Sequence, residues 1–339
     1  MSDPMRNPVL IELTRGALIE SVHAGAVAVV GADGEVVASV GDIARPIFPR
    51  SAIKPLQALP FLESGAVDRF GFGAREIALA CGSHVGAATH VAGVTALLGG
   101  AGLSAAALAC GAHEPMDVAT ARQMVRSSAS PSPLHHNCSG KHAAMLATAV
   151  HLGEPTNGYW RPDHPVQRRI RRALEDMTGC VLGPDALGID GCSVPNWAIP
   201  LAGLARALAQ LATGAGLAPE RADVCRRIRD SCWAHPDLVA GHGQLVTLIM
   251  QRLPGQVLVK TGAEGVYCGA FADRGLGFAL KIDDGAKRAS EAAVVQLISR
   301  LYPAAQHLGP DPHLTNWRGL QVGEMRPGDA LASMLQRLR

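Results

Sequence analysis

Hydrophobic and polar positions divide this chain into strand-like ends and a helical middle. Residues 24–41 hold two β-branched runs separated by Asp33-Gly34, the pattern of a tight hairpin. A helix is expected after Arg50-Ser51, running through Leu56 to Ser64, and another over 73–81, where Gly82-Ser83-His84 interrupts it. Helical spacing returns over 86–99 and 115–126, breaks at Pro131 and Pro133, and resumes over 141–152, 163–177, 197–213, 219–233 and 243–252. Then the period shortens. Strands are expected at 256–260, 266–272 and 276–282, joined by short glycine turns, with a helix over 286–301 and a strand-like piece near Leu320-Gln321-Val322. Short turns between strands mean antiparallel pairing, so the pattern predicts an α+β fold: an antiparallel sheet with helices and a helical insertion. The whole chain, 1–339, reads as one catalytic unit, with a mainly helical region over about 86–250 inside it. Gly71-Phe72-Gly73 lacks a third glycine and a preceding strand, which argues against a dinucleotide fold.

Composition narrows the function. Thirty-one basic residues against 29 acidic ones give a net charge of +2, too little to build a field for nucleic acid. The Arg168–Arg172 cluster reads as a solvated face, because Glu175 and Asp176 follow one turn later. No apolar run reaches the 18 residues or so of a membrane span, and the opening Met-Ser-Asp-Pro-Met-Arg-Asn-Pro has no apolar core of a secretion signal, which points to a cytoplasmic protein. Eight cysteines without a C-x-x-C pair are then thiols or metal ligands. Only five of the 31 basic residues are lysine: Lys54, Lys141, Lys260, Lys281 and Lys287. A lysine kept in so arginine-rich a chain is a candidate for a role that needs a removable proton, which arginine cannot supply.

Three constellations could carry chemistry. Ser51-Ala52-Ile53-Lys54 is an S-x-x-K, which on a helix puts hydroxyl and amine on one face. Lys260-Thr261-Gly262 closes an apolar strand far downstream. An early S-x-x-K with a late K-T-G is the order of serine β-lactamases and penicillin-binding proteins, where the glycine leaves room for substrate backbone. Their middle S-x-N element is not evident; Ser83, at the helix break, is the nearest candidate and could form a second Ser/Lys unit with Lys260. Finally, Cys138, Lys141 and His142 fall at i, i+3 and i+4 of a helix, and Gly188-Ile189-Asp190-Gly191-Cys192-Ser193 lies downstream. A cysteine beside these groups, with a second brought in by the fold, suits Zn²⁺; two buried thiols beside a polar helix start would look the same.

The longer motifs are specific. Arg-Ser-Ala-Ile-Lys-Pro-Leu-Gln at 50–57, Ala-Cys-Gly-Ser-His at 80–84, His-His-Asn-Cys-Ser-Gly-Lys-His at 135–142, Gly-Ile-Asp-Gly-Cys-Ser-Val-Pro at 188–195 and Lys-Thr-Gly-Ala-Glu-Gly at 260–265 resemble the Rhizobium etli type L-asparaginases, the thermolabile, zinc-containing class, over about residues 7–325. The resemblance implies a penicillin-binding-protein/serine β-lactamase-like fold with helices on both sides of the sheet, a homodimer, and hydrolysis of L-asparagine to L-aspartate and ammonia. It implies Ser51 with Lys54, and Ser83 with Lys260, as two catalytic pairs, Lys281 being the rival for the second lysine. It implies Cys138, Lys141 and Cys192 as zinc ligands, and Arg50, His142 and Asp190 near the substrate. The competing expectations are a β-lactamase or peptidase of the same fold, and an inactive small-amide binding protein.

Overall fold

In a computed structural model, which describes residues 7–338, the chain is built around an eight-stranded antiparallel sheet. Its strands are β1 (Val9–Arg15), β2 (Leu18–Gly31), β3 (Val36–Val40), β4 (Val257–Gly262), β5 (Val266–Phe271), β6 (Leu276–Ile282), β7 (His313–Thr315) and β8 (Gln321–Pro327). The order is β7-β8-β1-β2-β6-β5-β4, and β3 also pairs with β2. Asp33-Gly34 forms the β2–β3 turn as expected, with Gly34 at φ 94° and the Glu35 N–H donating to the Asp33 carboxylate at 3.0 Å. The hairpin β4–β5 turns at Ala263-Glu264-Gly265, and β5–β6 at Asp273-Arg274-Gly275.

Both faces of the sheet are covered. Residues 26–30 of β2 are a continuous apolar run buried on both sides. On β6, Gly277 faces the helix Leu201–Thr213; a Cβ there would lie 1.9 Å from the Ala205 carbonyl oxygen, so only glycine lets this helix lie so close. The neighbouring Phe278 points the opposite way, onto Phe271, which in turn packs against Tyr302 at the end of the helix Lys287–Leu301. The α+β class with helices on both sides of an antiparallel sheet is therefore what the chain forms.

Between 88 and 252 the chain is helical apart from three short strands, Leu187–Ile189, Pro195–Trp197 and Ile199–Pro200. The expected helix over 197–213 starts only at Leu201, because 195–200 pairs first with Leu187–Ile189 and then with Pro46–Ile47. The expected helix over 51–64 is a 3₁₀ turn, Arg50–Ile53, followed by two short α-segments, Lys54–Gln57 and Leu59–Glu63. Pro55 and Pro60 each open a segment and cannot donate into the turn before. Arg171 and Glu175 pair at 3.1 Å, in keeping with a solvated arginine face. Among the elements that carried no signal in the sequence reading are β1, β7 and the helix Asp329–Arg337. No helix is long and apolar enough to cross a membrane among the described residues.

Candidate active site

The site lies at the free edge of β4. Gly262 ends that strand against the 3₁₀ turn that carries Ser51: a Cβ on Gly262 would sit 2.5 Å from the Pro49 carbonyl oxygen and 3.1 Å from the Ala52 nitrogen. The room made by the glycine of K-T-G is thus taken by the serine segment itself, not by substrate backbone as its β-lactamase analogy suggested. Ser51 and Ser83 both reach a cavity of 410 Å³, with Asn137, Thr261 and Glu264 also on its wall. That size lies in the ordinary range of small-molecule sites, about 300–1,000 Å³.

Behind the two serines lie two buried lysines. Lys260, on β4, donates to Ser83 Oγ at 2.9 Å and to the Thr261 carbonyl at 2.9 Å. Burial, helped by the charge of Lys54, lowers its pKa to about 7. Lys281, the rival for this place, instead donates to the carbonyls of Glu264 and Ile282 at 2.7 and 2.5 Å. Lys54 is also lowered, by burial foremost and by the charge of Lys141, against the opposing pull of Cys138. Its Nζ donates to the carbonyls of Gly82 at 2.5 Å and Asn137 at 3.1 Å, and not to Ser51. Cys138 is hydrogen-bonded to the same nitrogen, so three partners surround Nζ: the Gly82 and Asn137 carbonyls and the Cys138 sulfur. The Gly82 carbonyl belongs to the peptide whose N–H, on Ser83, donates to the Val239 carbonyl at 2.7 Å, so Lys54 also helps to place the second serine.

The third cluster joins the helix Ser139–His151 to the hairpin 187–197. The hairpin's turn, closed by Ser193 N–H to Asp190 O at 2.8 Å and Asp190 N–H to Val194 O at 2.9 Å, buries Cys192. There the Cys192 thiol donates to Cys138, and Lys141 Nζ donates to Cys192 Sγ at 3.2 Å. Donation from Cys192, working against burial and with the charges of Lys54 and Lys141, holds Cys138 well below the usual thiol range. Burial works to lower Lys141, but the charges of Cys192, Cys138 and Asp190 outweigh it and raise the ammonium. Among the described residues no cluster of three His, Cys, Asp or Glu side chains is placed to hold a metal. The set implied from sequence is different in kind: two sulfurs and a nitrogen, linked in the order Cys138–Cys192–Lys141 and all buried. Such a set suits Zn²⁺, which would take Lys141 as the neutral amine and both cysteines as thiolates.

Arg50 Nε donates to Asp190 Oδ1 at 2.8 Å, tying the hairpin turn to the serine segment. Arg50, Ser193 and Glu264 are three of the four non-glycine residues with positive φ among the described residues, at 52°, 75° and 60°. Such strain collects where the surrounding structure must aim particular groups. His142 Nδ1 lies 2.6 Å from the Tyr159 hydroxyl, which itself accepts the Ala109 N–H at 2.9 Å. The other ring nitrogen, Nε2, is buried without a protein partner among the described residues. Burial foremost, then Lys141, keeps this histidine neutral. All four catalytic candidates and all three metal candidates thus converge. The sequence reading did not single out Asn137 or Tyr159; Asn137 stood inside a quoted motif, and Tyr159 carried no local signal.

The L-asparaginase II family model matches residues 11–327 of the chain. No curated protein sequence matches it. Among solved structures it is similar to a β-lactamase from Mycobacterium bovis, at 13% identity over 78% of this chain and 89% of that one, with a TM-score of 0.39. It is also similar to a D-alanine carboxypeptidase from Burkholderia cenocepacia, at 13% identity over 84% and 92%, with a TM-score of 0.40. Likenesses this distant carry nothing about substrate or mechanism.

Proposed function

The chain belongs to the L-asparaginase II family, and on that premise we propose that it hydrolyses L-asparagine to L-aspartate and ammonia by Ser/Lys nucleophilic catalysis. The observation that carries this reading is the pair of buried, carboxylate-free lysines set behind two serines on one cavity wall. In this reading Ser51 Oγ attacks the side-chain amide carbon while Lys54, as the neutral amine, takes its proton. The C–N bond breaks, the proton taken by Lys54 is relayed through Lys260 and the Ser83 hydroxyl to the departing nitrogen, and ammonia leaves with Ser83 and both lysines back in their starting states. Water then cleaves the β-aspartyl ester on Ser51, releasing aspartate and restoring the hydroxyl. The unpartnered His142 Nε2 and Arg50 are the groups available to orient the amino acid. Cys138, Lys141 and Cys192 would hold zinc, which when bound supplies positive charge that helps fix the substrate's anionic groups.

One observation favours a second reading. The serine–lysine hydrogen bond in the structure joins Lys260 to Ser83, not Lys54 to Ser51. In that reading Ser83 is the nucleophile and Lys260, with its pKa of about 7, is the base. Ser51→Ala and Ser83→Ala separate the two: the variant that loses the nucleophile should retain no more than about a thousandth of wild-type turnover while still binding asparagine.

The family-level test is ammonia release from L-asparagine by the purified protein. Release is expected. Hydrolysis of a chromogenic β-lactam without ammonia release would make this a β-lactamase, and neither activity would leave a binding protein.

A further inference from the structure

A second cavity, of 490 Å³, opens beside the one that holds the serines, and no member of either Ser/Lys pair lies on its wall. Glu264 borders both cavities, and Arg50, on the wall of the second, is the chain neighbour of Ser51. The wall is assembled from the stretch 45–50, the hairpin 187–197, the β4–β5 turn and the end of β6.

Its chemistry is cationic. Arg45, Arg50 and Lys281 line it against one carboxylate, Glu264. Arg45 donates to Asp283 at 2.7 Å and Arg50 Nε to Asp190 at 2.8 Å. A guanidinium has five N–H groups, so both arginines have donors left over. Lys281 gives two hydrogens to the carbonyls of Glu264 and Ile282, and an ammonium keeps a third. Burial foremost, and with it the charge of Arg45, lowers Lys281 against the pull of Asp283 and Glu264. An anion between Arg45 and Lys281 would answer both cations.

An independent observation points to the same place. Asn196, opposite Gly188 in the hairpin, lies on this wall and is only 6% exposed. Its side-chain amide has no hydrogen-bond partner among the described residues and is not sealed in by protein, so it opens into the cavity. A buried amide needs a partner, and here only an occupant of the cavity can supply one. The remaining wall is apolar. A Cβ on Gly188 would sit 2.9 Å from the Phe48 ring, which packs there, and both Phe48 and the adjoining Ile189 are exposed.

We propose that this cavity binds a small organic carboxylate, with its charge between Arg45 and Lys281, the Asn196 amide as a further donor, and its carbon body against Phe48 and Ile189. Inorganic phosphate would meet the cations but leave the apolar wall bare, so the observations favour a carbon acid. The site stands whether or not the serine cavity hydrolyses asparagine.

The test titrates succinate, a four-carbon dicarboxylate, into the full-length protein by calorimetry. We expect saturable binding with a Kd on the order of 1 mM or tighter, weakened about tenfold or more by Arg45→Ala and by Lys281→Met. Succinamide, similar in shape but uncharged, should also bind at least about tenfold more weakly. The Arg45 side chain is 43% exposed, so Arg45→Ala keeps the test sound should Lys281→Met fail to fold. No saturation by about 20 mM succinate, equal affinity in wild type and Arg45→Ala, or phosphate binding as tightly as succinate would overturn the proposal. A crystal structure with succinate supplies the location: the acid against Arg45, Lys281 and Asn196 supports the site, and the acid confined to the serine cavity rejects it. L-Aspartate soaked in parallel distinguishes the sources. Aspartate seated here makes the product of the proposed reaction the ligand, succinate alone makes it an acid supplied from elsewhere, and either result supports the site.

Discussion

Lys54 and Lys260 are fully buried, and neither is hydrogen-bonded to a carboxylate. A buried ammonium is costly, so burial drives both lysines toward the neutral amine, and at Lys54 the pull of Cys138 works against it. For Lys260, at about 7, this sets a pH window. The rate should rise with pH through a limb near 7 as the amine loses its proton, and a profile flat from about pH 6 to 9 would contradict lysine-based activation. Stability has its own sign. Between about 7 and the ordinary lysine value of 10.5, Lys260 is neutral when folded and protonated when unfolded. The unfolded state then binds the extra proton, and this lysine makes the fold more stable as pH rises. Above 9 the trend should reverse, because buried thiols such as Cys268, pushed up to about 12, lose protons more readily when unfolded. Melting temperatures measured from pH 7 to 9 should climb; a steady fall over that range would show that Lys260 stays charged in the fold. Lys260→Arg should be as damaging to turnover as Lys260→Ala, since a permanent cation cannot give up its proton at these pH values.

At the scale of elements, the site depends on how closely backbones approach. Gly262→Ala would drive a methyl into the Pro49 carbonyl and move the turn carrying Ser51. A displacement of about 1 Å is enough to cost roughly a hundredfold in rate, so kcat should fall by about that factor while the sheet still forms by circular dichroism. Gly277→Ala tests the remoter contact with the helix Leu201–Thr213; it should cost about 1–3 kcal/mol of stability and shift denaturant midpoints more than kcat. Both glycines were visible as letters, but their neighbours were not, because Pro49 and Ala205 come from elsewhere in the chain. The same limit explains the other misses. β1 (Val9–Arg15) is mostly buried without a two-residue alternation, so no strand period shows. The opening half of β2, Leu18–Val22, is largely exposed and reads as polar-edged. The serine segment showed a helical S-x-x-K, and the structure makes it a 3₁₀ turn running into a short helix, with Lys54 bonded to carbonyls that no spacing rule reveals. What was legible were local matters: the Asp33-Gly34 turn, the β4–β5–β6 meander and the motif at 135–142.

For the molecule as a whole, the account has three parts brought together from distant segments: two Ser/Lys units and a Cys-Lys-Cys cluster. The cluster adjoins Asp190 on one side and, through Cys138, Lys54 on the other. Cys138→Ser and Cys192→Ser should abolish zinc measured by elemental analysis. Stripping zinc from the wild type should raise KM for asparagine more than it lowers kcat. A wild-type protein that binds no zinc, or a kcat that collapses with KM unchanged, would reject this division of labour. The family resemblance further predicts a homodimer, so sedimentation should give twice the chain mass; a monomer at active concentrations would contradict it. The central claim is that Ser51 carries the acyl group while Ser83 and Lys260 serve proton transfer. Its most direct test is rapid acid quench of the enzyme with saturating asparagine, followed by peptide mass spectrometry. The account predicts a β-aspartyl ester on the peptide containing Ser51, absent from Ser51→Ala and still formed, more slowly, by Ser83→Ala. An ester on Ser83 instead, or steady ammonia release by Ser51→Ala, would contradict it.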